Sequence, residues 1–95
     1  MRIDVSKFGT VLLSRPAGRE AFLAARSYTI PKEGSEPIEL DFTNVDVLAP
    51  SWADEFVSAI RSEFSAQRVK IIEGENVTVR GVFATLRELN PQIYG

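Results

Sequence analysis

Residues 38–60 read IELDFTNVDVLAPSWADEFVSAI and organise the rest of the chain. Ile38, Leu40 and Phe42 alternate with polar residues, and this period of two is typical of a β-strand. Pro37 precedes the strand, since a proline can stand only at its entrance. Beyond a short hydrophobic loop, apolar residues recur at helical spacing. The residues predicted to share the buried helix face are Ala53, Phe56, Val57, Ile60 and Phe64. The stretch therefore predicts a strand followed by a helix.

The start of this helix is predicted at Ser51. The sequence from Ser51 to Asp54 has the form of a capping box, in which the serine oxygen accepts a backbone N–H and the carboxylate bonds back. We therefore expect Ser51 to be the N-cap.

The N-terminal region is predicted to begin with a β-hairpin. Ile3 and Val5 indicate a first strand, a turn follows at residues 8–9, and residues 11–13 indicate a returning strand. The first helix should then be capped by Ser14 or Arg15 and run to about residue 27, because Pro16 suits a first helical turn. The predicted inward residues of this helix are Ala17, Ala21, Ala24, Ala25 and Tyr28, with Phe22 beside them. The arginines outside this face, which form either a solvated surface or a contact for an acidic partner, are Arg15, Arg19 and Arg26.

A second strand is predicted over residues 68–73, after a turn-rich connector at 31–36 and the central helix. A strand–helix–strand unit joins parallel neighbours, so the Ile38 and Val69 strands should lie side by side with their loops at one edge. A last helix should begin between Asn76 and Thr78 and end at residues 90–91. Its predicted buried residues are Val79, Val82, Phe83, Leu86 and Leu89.

The composition is that of a small globular protein. With 95 residues, the chain is predicted to form one domain over residues 1–95. Its 44% apolar and 25% charged residues are ordinary proportions, and no apolar run approaches the roughly 20 residues of a membrane span. The N-terminus lacks the apolar core of a signal peptide. We therefore expect a soluble, cytoplasmic protein that does not contact membranes.

Several classes of chemistry are disfavoured. The chain has no cysteine and no histidine, so cysteine or histidine triads and zinc sites cannot be assembled from it. The net charge of −2 provides no general attraction for nucleic acid. We expect neither an enzyme nor a bound metal or cofactor.

A family resemblance is carried by the central stretch. LDF at 40–42, Val45 and PSWADEF at 50–56 form a pattern that resembles the STAS-like bacterial domains of unknown function, which are relatives of the anti-sigma factor antagonists. Weaker similarity extends upstream to residues 8–18 and downstream over residues 69–89. The resemblance implies a regulatory protein-interaction module whose partner is a protein such as a kinase or an anti-sigma factor.

Ser51 and its neighbours form the first predicted site. The resemblance implies that Ser51 accepts phosphate from a partner kinase, whereas helix capping alone is the structural alternative. Trp52 either fills the core or, if exposed, anchors a partner. The residues of the predicted partner-binding patch are Leu48, Ala49, Pro50, Ser51, Trp52 and Glu55.

A second predicted site lies at the ends of the two parallel strands. Asp41, Asp46 and Glu73 are expected near the sheet edge where open α/β folds bind ligands. Their oxygens suit a hard cation, or the edge could serve a small-ligand or nucleotide sensor. Alternatively, Asp41 accepts N–H groups of the following turn.

Taken as a whole, the sequence predicts an α/β, STAS-like fold. We expect a small mixed sheet of three to four strands with a parallel central pair, and three main helices. A regulatory protein-interaction module is the first functional hypothesis and a small-ligand sensor the second. A catalytic domain with paired carboxylates is the third and least favoured hypothesis, because the spacing of the residues brings no nucleophile or acid–base pair together.

Overall fold

The computed structural model describes residues 1–30, 34 and 36–94, without the side chains of residues 28 and 29. The strands of the described chain are β1 (Arg2–Asp4), β2 (Val11–Leu12), β3 (Ile38–Asp41), β4 (Val47–Leu48) and β5 (Val69–Ile72). Its α-helices are α1 (Arg15–Ala24), α2 (Pro50–Phe64), α3 (Val77–Leu89) and α4 (Pro91–Tyr94). Most of the connector predicted over residues 31–36 lies outside the described residues, as does the side chain of Tyr28.

The strands form two parallel sheets. The larger sheet has the order β1-β3-β5, and the smaller one pairs β2 with β4. Ile38 lies opposite Val69, and Leu40 lies opposite Ile71. The predicted parallel pairing of these two strands is therefore confirmed, together with the α/β class of the fold.

The predicted N-terminal hairpin is wrong. β1 pairs with β3, and β2 pairs with β4, both in parallel. Between β1 and β2 the chain turns through a 3-10 helix at Val5–Phe8, because Asp4 caps it by accepting the N–H and hydroxyl of Ser6 at 3.0 and 2.6 Å. These bonds lower the pKa of Asp4. The sheets are consequently parallel within the described chain rather than mixed.

The larger sheet has an inner and an outer face. Ile3, Leu40 and Val69 point inward and are buried against the helices. On the outer face, Glu39 lies beside Lys70 in register, and Lys70 is exposed. Alternation along each strand thus places one face in the core and the other toward solvent.

The first helix begins as predicted and packs on α2. Ser14 is its N-cap and accepts the N–H of Ala17 at 3.2 Å. Ala17, predicted to face inward, is exposed instead. Gly18 takes the inward place because only a residue without a side chain fits there: a Cβ would lie 2.8 Å from the carbonyl oxygen of Trp52. Beyond α1, the helical path continues as a π-helical segment at Ala25–Thr29.

The last long helix is also close to its predicted position. Asn76 caps α3 by accepting the N–H of Thr78 at 2.9 Å. Four of its five predicted inward residues are buried, but Leu89 is 77% exposed, so its predicted burial is wrong. The chain turns at residues 90–91 into α4, and Tyr94 of that short helix is buried instead.

Candidate functional site

The start of α2 differs from the sequence-based prediction. Ala49 is the N-cap and has no side chain that could accept a hydrogen bond; Pro50 is the first helical residue. Ser51 therefore lies inside the first turn, and its predicted capping role is wrong. Its hydroxyl instead donates to the carbonyl oxygen of Leu13 at 3.1 Å, which ties α2 to the end of β2. Proline's preference for the first helical position explains why the N-cap lies two residues before the predicted one.

The predicted partner-binding patch is only partly exposed. Trp52 is 1% exposed and stacks on Phe56, with ring centroids 4.9 Å apart and an interplanar angle of 24°. Leu48 is also buried, so neither residue is exposed as the predicted patch requires, and the core alternative for Trp52 is confirmed. Of the remaining members, Pro50 is exposed, whereas Ala49 and Ser51 are partly buried. The first turn of α2 thus offers a narrower surface than the sequence suggested.

An exposed apolar surface exists beside this turn, on the small sheet. Val11, Leu13 and Val47 have exposed fractions of 55%, 56% and 41%. Val11 and Val47 are register partners across β2 and β4, so their side chains share one face. Leu13 follows two positions after Val11. We call these three residues the β2–β4 face.

A groove of about 440 Å³ runs between β2 and α1 next to the β2–β4 face. Most of its lining residues are apolar, among them Phe8, Ala17 and the buried Trp52. Glu20 is the one charged residue of the described chain that lines it. The groove and the β2–β4 face together form an apolar surface that a protein segment can cover.

A charged cluster borders the other side of Ser51. Arg15 Nη1 lies 3.1 Å from Asp54 Oδ2 and 3.2 Å from Glu55 Oε1. Hydrogen bonds to Glu55 and Asp54 raise the pKa of Arg15. Asp54 also accepts the hydroxyl of Tyr94 at 2.7 Å. Glu55, predicted to bind a partner, therefore holds α1 against α2.

Tyr94→Phe should change the alkaline stability of the protein. Burial, and then the hydrogen bond to Asp54, raise the pKa of Tyr94 above its ordinary value of 10.0. Above about pH 10, the unfolded tyrosine loses its proton while the folded one keeps it, so stability falls by up to about 1.4 kcal/mol per pH unit. The Tyr94→Phe variant has no phenolic hydroxyl and therefore lacks this loss of stability at high pH. Near neutral pH it should be less stable by about 1–2 kcal/mol through the lost hydrogen bond.

Urea unfolding at a series of pH values from about 7 to 11 checks this expectation. The difference in unfolding free energy between the parent and Tyr94→Phe should narrow as the pH rises above about 10. Parallel curves would show that the buried hydroxyl is not the group that titrates.

The acidic residues predicted at the strand ends do not converge. Asp41 lies on the outer face and accepts the N–H of Thr43 at 2.9 Å, which is the predicted local role. Glu73 follows Ile72, the register partner of Asp41, so alternation directs it to the opposite face of the sheet. There it pairs with Arg87 at 2.7 Å. Asp46 is exposed.

Within the described residues, no group of three or more acidic, cysteine or histidine side chains is arranged to hold a metal ion. Over the same residues, no helix combines the length and apolar character needed to cross a membrane.

The fold and the site define a small α/β domain with an exposed apolar sheet face. Residues 26–78, more than half of the chain, match the family model described as a STAS-like domain of unknown function (DUF4325). The chain belongs to this family, and the resemblance carried by the central stretch is confirmed. No curated protein and no solved structure gives a significant match.

The β2–β4 face and the Arg15 cluster were not identified from the sequence. Val11 and Leu13 were assigned to a returning hairpin strand, whose pairing with β1 would have given them different neighbours. Alternation in VLLS at 11–14 was the available signal, because it separates a buried Leu12 from two outward residues. The approach of Arg15 to Asp54 joins residues 39 positions apart, and no local pattern indicates such a contact.

Proposed function

We propose that this STAS-like domain is a non-enzymatic regulatory module that binds a protein partner through the β2–β4 face. The observation that carries this proposal is the juxtaposition of three large apolar side chains, each more than 40% exposed, on one sheet face. A contiguous apolar surface in water favours association, because covering it removes apolar area from solvent. The partner class suggested by the family resemblance is a kinase or an anti-sigma factor.

The chemistry of the surface indicates what the partner presents. Val11, Leu13 and the adjacent groove suit an apolar segment, and Glu20 at the groove favours a basic side chain next to it. Pro50 and Ser51 border the same region, since the Ser51 hydroxyl reaches the Leu13 carbonyl. The partner therefore covers the end of β2 and the first turn of α2.

We further propose that phosphorylation of Ser51 weakens this association. The hydroxyl that now donates to Leu13 would lose its hydrogen, so the link between α2 and β2 would break. The phosphate would also place about two negative charges beside an apolar contact surface. Positive charge from Arg15 and the α2 N-terminus would hold the phosphate and keep the domain folded.

Leu13→Asp should weaken partner binding by about tenfold or more, because it introduces a charge at the centre of the apolar contact. Thr85→Asp is the control, since it introduces the same charge at an exposed position of α3. The partner is isolated from an extract of the source organism with the parent protein. It is then purified and titrated with each variant by calorimetry. Thermal melts of each variant verify that it is folded.

The proposal predicts weaker binding for Leu13→Asp and unchanged binding for Thr85→Asp. Equal binding of a folded Leu13→Asp variant and the parent would remove the β2–β4 face as the contact surface. Equal losses in both variants would indicate a general charge effect instead.

Substitutions at Ser51 separate its structural contact from its proposed switch. Ser51→Ala removes the hydrogen bond to Leu13 but adds no charge, so binding should change by less than about threefold. Ser51→Asp adds a charge at a helix N-terminus, where it is tolerated, and should weaken binding about tenfold. The same titration measures both variants. If Ser51→Ala and Ser51→Asp bind equally, charge at this position does not regulate the contact.

A further inference from the structure

The outer edge of β5 has backbone groups that point away from the sheet. Ile38 donates to the carbonyl of Arg68 at 2.8 Å, and Phe42 donates to that of Ile72 at 2.8 Å. In a parallel pair, a strand bonds to its neighbour through the backbone groups of every second residue. In β5, the backbone N–H and carbonyl groups of the even-numbered residues therefore point toward β3. The N–H and carbonyl of Ile71 consequently face outward, and no described residue bonds to them from that side.

The backbone N–H and carbonyl of the neighbouring Val69 already have hydrogen-bond partners. Its N–H donates to the carbonyl of Ala66 at 3.4 Å, and its carbonyl accepts from Arg61 Nη2 at 3.3 Å. The free part of the edge is therefore the short stretch around Ile71, next to the guanidinium of Arg61.

A groove of about 530 Å³ lies along this edge and is lined by three basic side chains, Arg61, Lys70 and Arg87. Glu73 is the one acidic residue of the described chain that lines the groove, and it is paired with Arg87. Arg61 and Lys70 form no ion pair with any described residue. The groove thus has an excess of positive charge.

Arg61 has an unusual environment for a cation. Its Nη1 donates to the carbonyl of Ile93 and its Nη2 to that of Val69, while its buried Nε finds no partner within the described chain. Neutral carbonyls only partly compensate a half-buried guanidinium, and an approaching carboxylate would compensate it more fully. The pKa of Arg61 is lowered by burial, which agrees with this incomplete compensation.

We propose that the β5 edge binds an extended acidic segment of a partner protein as an added strand. The segment exchanges backbone hydrogen bonds with Ile71. Consecutive side chains of an added strand point to opposite faces, so two adjacent acidic residues reach both cations: one meets Arg61 on the inner side, and the other meets Lys70 on the outer side. This surface shares no residue with the β2–β4 face, and the two proposals can fail independently.

Lys70 has a simpler alternative role. A lysine on an edge strand hinders unwanted pairing between copies of a protein. The two roles make different predictions for a charge reversal: Lys70→Glu should weaken binding of an acidic segment if the lysine recognises it, but should promote self-association if the lysine only protects the edge.

The probe is a pool of acetylated heptapeptides that carry two adjacent aspartate or glutamate residues between valine, isoleucine or threonine. A matched pool carries lysine or arginine at the same two positions. Each pool is titrated into the full chain, and backbone amide resonances and hydrogen exchange are followed by NMR. The variants are Lys70→Glu and, as the matched control, Lys7→Glu, an exposed lysine in the 3-10 helix that follows β1.

The proposal predicts that the acidic pool shifts the amide resonances of Ile71 and Glu73 and slows the exchange of Ile71 by about tenfold. Lys70→Glu should weaken this binding by about tenfold, and Lys7→Glu should leave it within about twofold. Four results would overturn it: no shift at Ile71, equal binding of the basic pool, unchanged binding to Lys70→Glu, or sedimentation showing that a second copy of the chain already pairs along β5.

Discussion

Trp52→Ala should lower the free energy of unfolding by about 3–5 kcal/mol. The indole is 1% exposed and is stacked on Phe56, which in turn contacts the ring of Phe8 at a centroid distance of 5.6 Å. Truncation would remove a large apolar side chain from this aromatic cluster and leave a cavity between α2 and its neighbours. Equilibrium urea unfolding, analysed as a two-state transition, measures the loss.

Leu89→Ala is the control for this truncation. Leu89 is 77% exposed, so its removal should change stability by less than about 0.5 kcal/mol. A loss below about 1 kcal/mol for Trp52→Ala would mean that the indole is not part of the core. In that event Trp52 would again be a candidate anchor for a partner.

The contrast between these two residues shows what the sequence could not decide. Both are large and apolar, and Leu89 occupies a regular inward position of its helical pattern. Whether Leu89 is buried depends on the path of the chain after α3. The short helix α4 follows there, and its Tyr94 enters the core while Leu89 stays exposed. Trp52 stands at a helix start, where the predicted Ser51 N-cap made it the first helical residue. The helix begins at Pro50 instead, so Trp52 lies within the first turn and shares the inward face with Phe56, four positions later.

Local periodicity was sufficient for the central elements. Alternation over Ile38–Asp41 and helical spacing up to Phe64 predicted β3 and α2, and the parallel pairing with Val69 followed from the strand–helix–strand order. The N-terminal strands were too short for this approach. β2 has two residues, and its partner β4 lies 36 positions along the chain, so adjacency in sequence suggested the wrong neighbour.

The candidate site depends on contacts between residues that are far apart in the sequence. Ser51 meets Leu13, and Arg15 meets Asp54, through pairs that lie 38 and 39 positions apart. Such contacts form because the start of α1, together with Leu13 just before it, packs against the first turns of α2. The separation of these two helices therefore determines both the Ser51 link and the shape of the apolar groove.

Gly18→Val tests this separation and should lower the free energy of unfolding by about 3 kcal/mol, at the upper end of the usual cost of overpacking. A Cβ at Gly18 would lie 2.8 Å from the carbonyl oxygen and 3.3 Å from the Cα of Trp52, and 3.3 Å from Glu55 Cβ. Two of these neighbours are backbone atoms, which cannot turn aside as a flexible side chain can. The helices must then move apart.

Gly81→Ala is the control, since it also adds a side chain to a helical glycine. Apart from the backbone of its own helix and its chain neighbours, no atom of the described residues lies within 4 Å of the added Cβ at Gly81. The change should therefore stabilise the protein by about 0.5–1 kcal/mol through helix propensity alone. Urea unfolding of both variants measures the two effects. Opposite signs of the two changes in unfolding free energy would establish close α1–α2 packing as the cause. Helix propensity alone would make the replacement of glycine stabilising at both positions. A stable Gly18→Val variant would instead mean that the groove beside β2 can widen without cost, and its shape could not then select a partner.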